Sequence, residues 1–436
     1  MPILAINGGT PVRTKNFPAY RTMGEEEKAA TARVIDSGVI SRYLGCWHED
    51  FYGGPEVKAF EKEWAEWCGA KHAIAVNSNT SGVICALGAA GIGPGDEVIV
   101  SPYSMIISAT MPLWYGAIPV FADIEPDYFC LDPESVRSKI TPRTKAIIVV
   151  DIFGQAYNAE AINAIAKEHN LIVIEDAAQA PGATYKGKHV GTLGHMGVYS
   201  LNYHKHIHTG EGGVIVTDDD ELANKLQLIR NHAEAVVGDK GETNLVNMLG
   251  HNFRLTELQA AIGREQLKKL EKLNAQRVAN CEFLAEELSK IPGIHAPKVR
   301  EDGTHVYYVQ PFTFIEAEAG IDRNTFIDAV RAELPATELR ELEGQQLSYG
   351  FAKPIYLQPI FQKRIAIGKD GWPWKNNPLW TGEVSYEKGI CPVTERMFEK
   401  ELFLHEFMRP PATREDLQDV VNAFKKVYEH KDELKK

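Results

Sequence analysis

Seven short apolar runs punctuate the chain between residues 73 and 217, at 73–77, 97–100, 118–122, 146–150, 171–175, 197–200 and 214–217. Helical patterns separate most of them. Most runs are apolar on both faces, without the alternation that a half-exposed strand would show, so both faces must be covered. A mostly parallel sheet with helices on each side meets that demand, because every strand–helix–strand crossover lays a helix over one face. Ligands of such sheets gather at the carboxyl ends of the strands. The chemically unusual residues of this chain stand at those ends.

With 436 residues the chain exceeds one small core, since domains usually hold roughly 100–200 residues. The reading is an N-terminal lead-in over residues 1–25, a large α/β domain over 26–275 and a smaller α+β domain over 276–436. Before the first strand, helices are expected at 25–37 and 56–68, the latter with Phe60, Trp64 and Trp67 on a core-facing side. After the last strand they are expected at 220–231 and 256–274. Near residue 275 the style changes to an amphipathic helix at 278–290, a strand pattern at 305–314, and turn-rich aromatic stretches at 354–359 and 371–374. A charged helix over 413–436 reads as a solvated face. A net charge of −12 with no long Lys/Arg tract argues against a nucleic-acid partner. No apolar run approaches the ~20 residues that cross a bilayer, and no basic leader opens the chain, so no membrane role and a cytoplasmic location are expected. The six cysteines show no CxxC spacing, which suits buried thiols in a reducing compartment.

The stretch 199–213 places Lys205 among polar and aromatic neighbours, directly ahead of Gly210-Glu211-Gly212-Gly213. A lysine so placed can hold a carbonyl compound as a Schiff base, and cationic surroundings would favour its neutral, nucleophilic form. His204, His206 and His208 would add such charge if protonated. A metal role for them is not expected, because no carboxylate or cysteine is spaced to complete a site. Asp176 ends the fifth apolar run, where a carboxylate without a partner is costly. A Schiff-base lysine with an aspartate facing a pyridinium nitrogen is the protein's half of a pyridoxal 5'-phosphate site. Gln179, three residues on, could reach the cofactor's phenolic oxygen. Ser78-Asn79-Thr80-Ser81-Gly82 joins the first strand to a helix, where hydroxyls and free N–H groups either bind a phosphate or simply cap the helix. Ser200 and Lys205 are close enough to hold the two ends of one small molecule.

These motifs resemble the DegT/DnrJ/EryC1/StrS family of sugar aminotransferases. So do Gly91-Ile92-Gly93-Pro94-Gly95-Asp96-Glu97-Val98, Asn252-Phe253-Arg254-Leu255 and the late Cys391-Pro392-Val393-Thr394-Glu395-Arg396. The resemblance covers nearly the whole chain. It implies the fold-type I architecture of pyridoxal phosphate enzymes, with a seven-stranded, mostly parallel sheet. It assigns the cofactor Schiff base to Lys205, the ring nitrogen to Asp176, the phenolic oxygen to Gln179 and the phosphate to Thr80, Ser81 and Ser200. Asn252 is expected to reach the phosphate of a neighbouring subunit in a homodimer with shared active sites. The implied reaction is a ping-pong transfer from glutamate or glutamine to a keto-sugar, first a nucleotide-linked keto-hexose. A ketocyclitol is the alternative acceptor, suggested by the Gly8-Gly9-Thr10 lead-in and the aromatic insert around Trp372 to Trp380. A dehydratase branch carries histidine in place of the lysine. Here the five-residue spacing to Gly210 puts Lys205 at that position, and the intact Lys205–Asp176 pair argues against a non-catalytic scaffold. Three departures stand out. Ser78-Asn79-Thr80 replaces the usual Ser-Gly-Thr, adding a side chain near the phosphate. Met105 stands where a Phe or Trp stacks on the ring, with Tyr103 as the other candidate. Ser200-Leu201-Asn202 replaces Ser-Phe-His.

Overall fold

Each of the seven apolar runs becomes a strand. The computed structural model describes residues 3–434. In chain order the strands are β1 (His72–Val76), β2 (Glu97–Val100), β3 (Ile118–Phe121), β4 (Thr144–Val150) and β5 (Ile172–Asp176). A small hairpin of β6 (Thr184–Tyr185) and β7 (Lys188–His189) intervenes before β8 (Met196–Ser200) and β9 (Gly213–Thr217). The large sheet has the order β1-β9-β8-β5-β4-β2-β3. The strands β8, β5, β4, β2 and β3 are mutually parallel, and β9 runs antiparallel between β8 and β1. Successive side chains feed two separate cores, as strand geometry demands. Ile99, Ile147, Val173 and Val214 enter one, while Val98, Ile148, Ile174 and Val198 enter the other. Helix Asn79–Ala89 lies so close to β8 that a Cβ at Gly82 would come within 2.5 Å of Val198 Cγ1.

Both ends of the sheet are closed. At β1, the outward N–H of Ala75 donates to Glu61 Oε1 (2.8 Å) and its carbonyl accepts from Arg230 Nη1 (3.0 Å). Glu61 and Arg230 also pair with each other, so an ion pair replaces the missing neighbour strand. At β3, Pro119 has no N–H to offer, which suits an edge strand, and its carbonyl accepts from Tyr386 (2.8 Å).

Tyr386 belongs to the aromatic insert. With Tyr356, Phe361, Trp374 and Trp380 it packs beside Phe121 in the core of the large sheet. Trp380 Nε1 donates to Glu97 (2.9 Å). The insert therefore seals the sheet edge and contributes none of these rings to the candidate site described below.

A second sheet, β10 (Ile294–His295), β11 (Gln310–Phe314), β12 (Leu347–Tyr349) and β13 (Leu402–His405), has the order β10-β11-β13-β12, all antiparallel. Helices Arg323–Glu333 and Arg414–Glu429 cover it. The C-terminal helix is not the solvated face expected. Leu417, Val420, Val421, Phe424 and Val427 form a buried stripe at helical spacing, which the charged residues around them mask in the sequence.

Packing divides the chain differently from boundaries at 25 and 275. Leu4 and Phe17 of the lead-in join the core of the second sheet, and the insert joins the first. The two helices expected at 256–274 and 278–290 are one, Glu257–Leu288, because Ala275-Gln276-Arg277 carries no breaker. Its first residue also serves another helix. The buried Glu257 carboxylate accepts from the N–H groups of Gly54, Glu56 and Val57, capping helix Pro55–Cys68.

Candidate active site

At the carboxyl ends of β1, β4, β5 and β8 lies a cavity of about 380 Å³. Its wall contains six of the eight residues that the resemblance sets at the cofactor: Thr80, Met105, Asp176, Gln179, Ser200 and Lys205. Ser81 and Asn252 are not on it. Ser81 is buried in the helix cap, its hydroxyl donating to Asn77 Oδ1 (2.6 Å) and its N–H to Ser78 Oγ (3.1 Å). Ser78 takes its place on the wall. Asn252 is exposed elsewhere, accepting from Arg254 Nε (2.8 Å) and bridging Asn231.

Asp176 closes β5 and is buried, 3% exposed. Its Oδ2 accepts from Ser108 Oγ (2.7 Å) and its Oδ1 from Asn79 Nδ2 (3.2 Å) and the Ala178 N–H (3.3 Å). Burial raises its pKa; Ser108, the Lys205 charge, Ala178 and Asn79 pull against that. Two further acids lie behind it. Burial pushes Glu175 up to about 7, although it accepts from the N–H groups of Gly191, Leu193 and Gly194. Asp151, at the end of β4, is pushed well above the carboxylate range by burial and by Glu175, and its Oδ2 has no partner among the described residues. Asp176 is thus the acid of this group that reaches the cavity wall.

Asn79 departs from expectation. Its side chain turns away from the phosphate end and donates to Asp176 and to the Val198 carbonyl (3.0 Å). The phosphate end keeps Ser78, Thr80, Ser200 and the opening turn of helix Asn79–Ala89, whose first N–H groups lack helical partners. Gly213 lets β9 approach this turn, since a Cβ there would sit 2.7 Å from the Ser78 carbonyl carbon.

Lys205 Nζ lies 4.1 Å from the centroid of the Tyr308 ring, within cation–π range. The flanking histidines do not supply positive charge. Burial lowers the pKa of His204, His206 and His208, and most strongly that of His206, whose Nε2 sits 2.9 Å from the Val306 carbonyl. Tyr308 arrives from the C-terminal part of the chain, where sequence gave no signal. Its N–H donates to the Phe153 carbonyl (2.7 Å) and that of Val306 to the Gly154 carbonyl (2.8 Å). Both acceptors have positive φ, +61° at Phe153 and +115° at Gly154. The Phe153 N–H donates to Gln179 Oε1 (2.7 Å), which fixes the Gln179 amide and leaves its Nε2 donor for the cavity. Tyr103 cannot stack on a bound ring: it is fully buried, with its hydroxyl accepting from the Phe351 N–H (2.7 Å). Met105, 62% exposed, keeps its place on the wall. Among the described residues no cluster of His, Cys, Asp or Glu is arranged to hold a metal ion. No described helix is long and apolar enough to cross a membrane.

The donor set fits pyridoxal 5'-phosphate. A buried carboxylate with only neutral donors and one lysine near it can accept a pyridinium, a helix N-terminus with hydroxyls can accept a phosphate, and Lys205 can accept an aldehyde.

Comparison with known proteins agrees with this geometry. The profile of the DegT/DnrJ/EryC1/StrS aminotransferase family matches residues 45–370. The L-glutamine:2-deoxy-scyllo-inosose aminotransferase of Streptomyces lividus is 32% identical, over 98% of this chain and 98% of its own. The GDP-perosamine synthase of Caulobacter vibrioides is 42% identical over 59% of this chain and 68% of its own. The crystal structure of an aminotransferase from Psychrobacter cryohalolentis superposes with a TM-score of 0.78 at 30% identity, covering 95% of this chain and 99% of that one. The chain belongs to the DegT/DnrJ/EryC1/StrS aminotransferase family, with the fold-type I architecture.

Proposed function

We propose that this aminotransferase binds pyridoxal 5'-phosphate in the cavity and moves an amino group from glutamate or glutamine to the ketone of a sugar ring. The observation that carries this is the meeting of Asp176, Lys205 and the Asn79–Ala89 helix N-terminus on one cavity wall. Lys205 holds the aldehyde end, Asp176 the ring nitrogen, Gln179 the phenolic oxygen, and Ser78, Thr80 and Ser200 the phosphate. Met105 lies against the ring. When bound, the cofactor supplies an aldehyde that carries the amino group between substrates and a ring that spreads carbanion charge. Lys205 Nζ, once free, takes the proton from the α-carbon of the donor and later delivers one to the former carbonyl carbon of the acceptor. Asp176 stays ionised and keeps the ring nitrogen protonated.

The first acceptor is a nucleotide-linked keto-hexose, supported by the likeness to GDP-perosamine synthase. A ketocyclitol is the second, favoured by a likeness to the 2-deoxy-scyllo-inosose aminotransferase that runs nearly end to end. The enzyme works as a homodimer, a reading supported by Trp47, Trp114, Leu245, Val246 and Leu249, which stay exposed on this chain. Asn252 completes the phosphate site of the partner. Its thiols, none of them paired, suit the cytoplasm. The test loads purified protein with the cofactor and adds glutamine or glutamate. The visible cofactor band should bleach, then return on addition of a keto-sugar or ketocyclitol. A band that neither donor bleaches would refute amino transfer, and the acceptor that restores it decides between the two classes.

A further inference from the structure

Two neutral side chains hold Asp176 from opposite sides. Asn79 is the first residue of helix Asn79–Ala89, and Ser108 lies in helix Ile107–Trp114. Asn79 is buried, and its single amide nitrogen serves both Asp176 Oδ1 (3.2 Å) and the Val198 carbonyl on β8 (3.0 Å). The second bond fixes the amide: with Nδ2 held to the β8 backbone, it cannot swing toward the cavity mouth. Ser108 Oγ meets the other carboxylate oxygen at 2.7 Å. The adjoining helix N-terminus and the neighbouring helix therefore each hold one oxygen of the carboxylate that ends the strand. A residue with only a backbone at position 79 would leave Oδ1 with the long Ala178 contact (3.3 Å).

We infer that the Asn79 side chain is a positioning group for the cofactor's ring nitrogen, acting through Asp176 in concert with Ser108, and that this side chain takes no part in holding the phosphate. This rests on the pyridoxal phosphate reading above. The groups facing Asp176 set the direction of the effect. Lys205 across the cavity and the donors from Asn79, Ser108 and Ala178 favour the ionised carboxylate; burial opposes it. Asp151 is the acid that feels it in turn: after burial and Glu175, the Asp176 charge is among the causes that raise the Asp151 carboxyl. A donor to the charged form lowers a carboxyl pKa, so its removal raises the pH below which Asp176 is protonated and unable to keep a pyridinium.

The experiment measures the affinity of the full-length protein, freed of cofactor, for pyridoxal phosphate as a function of pH, and separately its affinity for inorganic phosphate. In Asn79→Ala and in Ser108→Ala the acidic limb of cofactor affinity should move up by about one pH unit, the worth of one hydrogen bond to a charged group. Ser108→Thr, which keeps the hydroxyl, should leave the limb near its wild-type position. Phosphate affinity should be unchanged in Asn79→Ala. An Asn79→Ala protein weakened equally at every pH, or weakened toward phosphate, would overturn the inference and return Asn79 to the phosphate site. So would a limb that does not move. If the wild-type protein binds no pyridoxal phosphate, the cofactor reading itself fails, an outcome distinct from all of these.

Discussion

A lysine half-buried over a tyrosine ring and an aspartate 3% exposed are the pair on which the chemistry turns. Replacing Lys205 by alanine removes both the aldehyde anchor and the group that shuttles protons. Turnover should fall by on the order of 10⁴-fold, and borohydride treatment should no longer fix the cofactor to the peptide containing residue 205, as read by mass spectrometry. Retention of either property would put the anchor on another residue. At this scale the sequence was legible where identity and chain position suffice. A carboxylate closing an apolar strand and a lysine before Gly210-Glu211-Gly212-Gly213 announce themselves. Side-chain direction is not announced. Ser81 looked like a phosphate ligand because Ser is both a cap and a ligand, and the cap won. Asn79 looked like an intruder at the phosphate, until β8 supplied a carbonyl for its amide. Tyr308 sits about a hundred residues from Lys205 in sequence and has no motif around it, so only the bonds from 306 and 308 to the turn at Phe153 and Gly154 reveal its role. The histidines beside Lys205 misled for a related reason: burial, unreadable from a polar loop, makes them poor bases.

Strands were easier to read than the helices that join the two halves. A strand apolar on both faces has little choice but a covered sheet, and β2 kept its expected limits at Glu97 and Val100. Helix limits depend on breakers, and Ala275-Gln276-Arg277 holds none, so the change of pattern there ends no helix. The helix Glu257–Leu288 runs through, and so it reaches from the large sheet to the second. At its start, Glu257 satisfies three N–H groups of a different helix from a site where Gly54 leaves no room for a Cβ: one would stand 2.6 Å from the carboxyl carbon. Glu257→Ala should therefore cost about 2–3 kcal/mol, as expected for stripping a charged acceptor from buried donors. The expected readout is a melting temperature lower by several degrees. Glu257→Gln keeps an acceptor and should lose less. Equal melting of all three proteins would show that water satisfies those N–H groups instead.

For the whole molecule, the proposed dimer makes a sharp prediction. Leu249 is 79% exposed and Trp114 53%. Leu249→Asp should shift sedimentation from dimer toward monomer and, because Asn252 then has no neighbouring site to complete, weaken cofactor affinity in parallel. A variant that sediments as a monomer with undiminished affinity would disprove sharing. Which surfaces meet could not be read from the sequence, since an exposed leucine and a buried one are written alike. The ends of the large sheet bear on assembly from the opposite direction. The Glu61–Arg230 pair occupies one end, and Pro119 with Tyr386 the other. Open strand rims are templates on which further chains can add without limit, so a protein stopped at both rims is steered toward association that ends at a fixed number of copies and away from fibres.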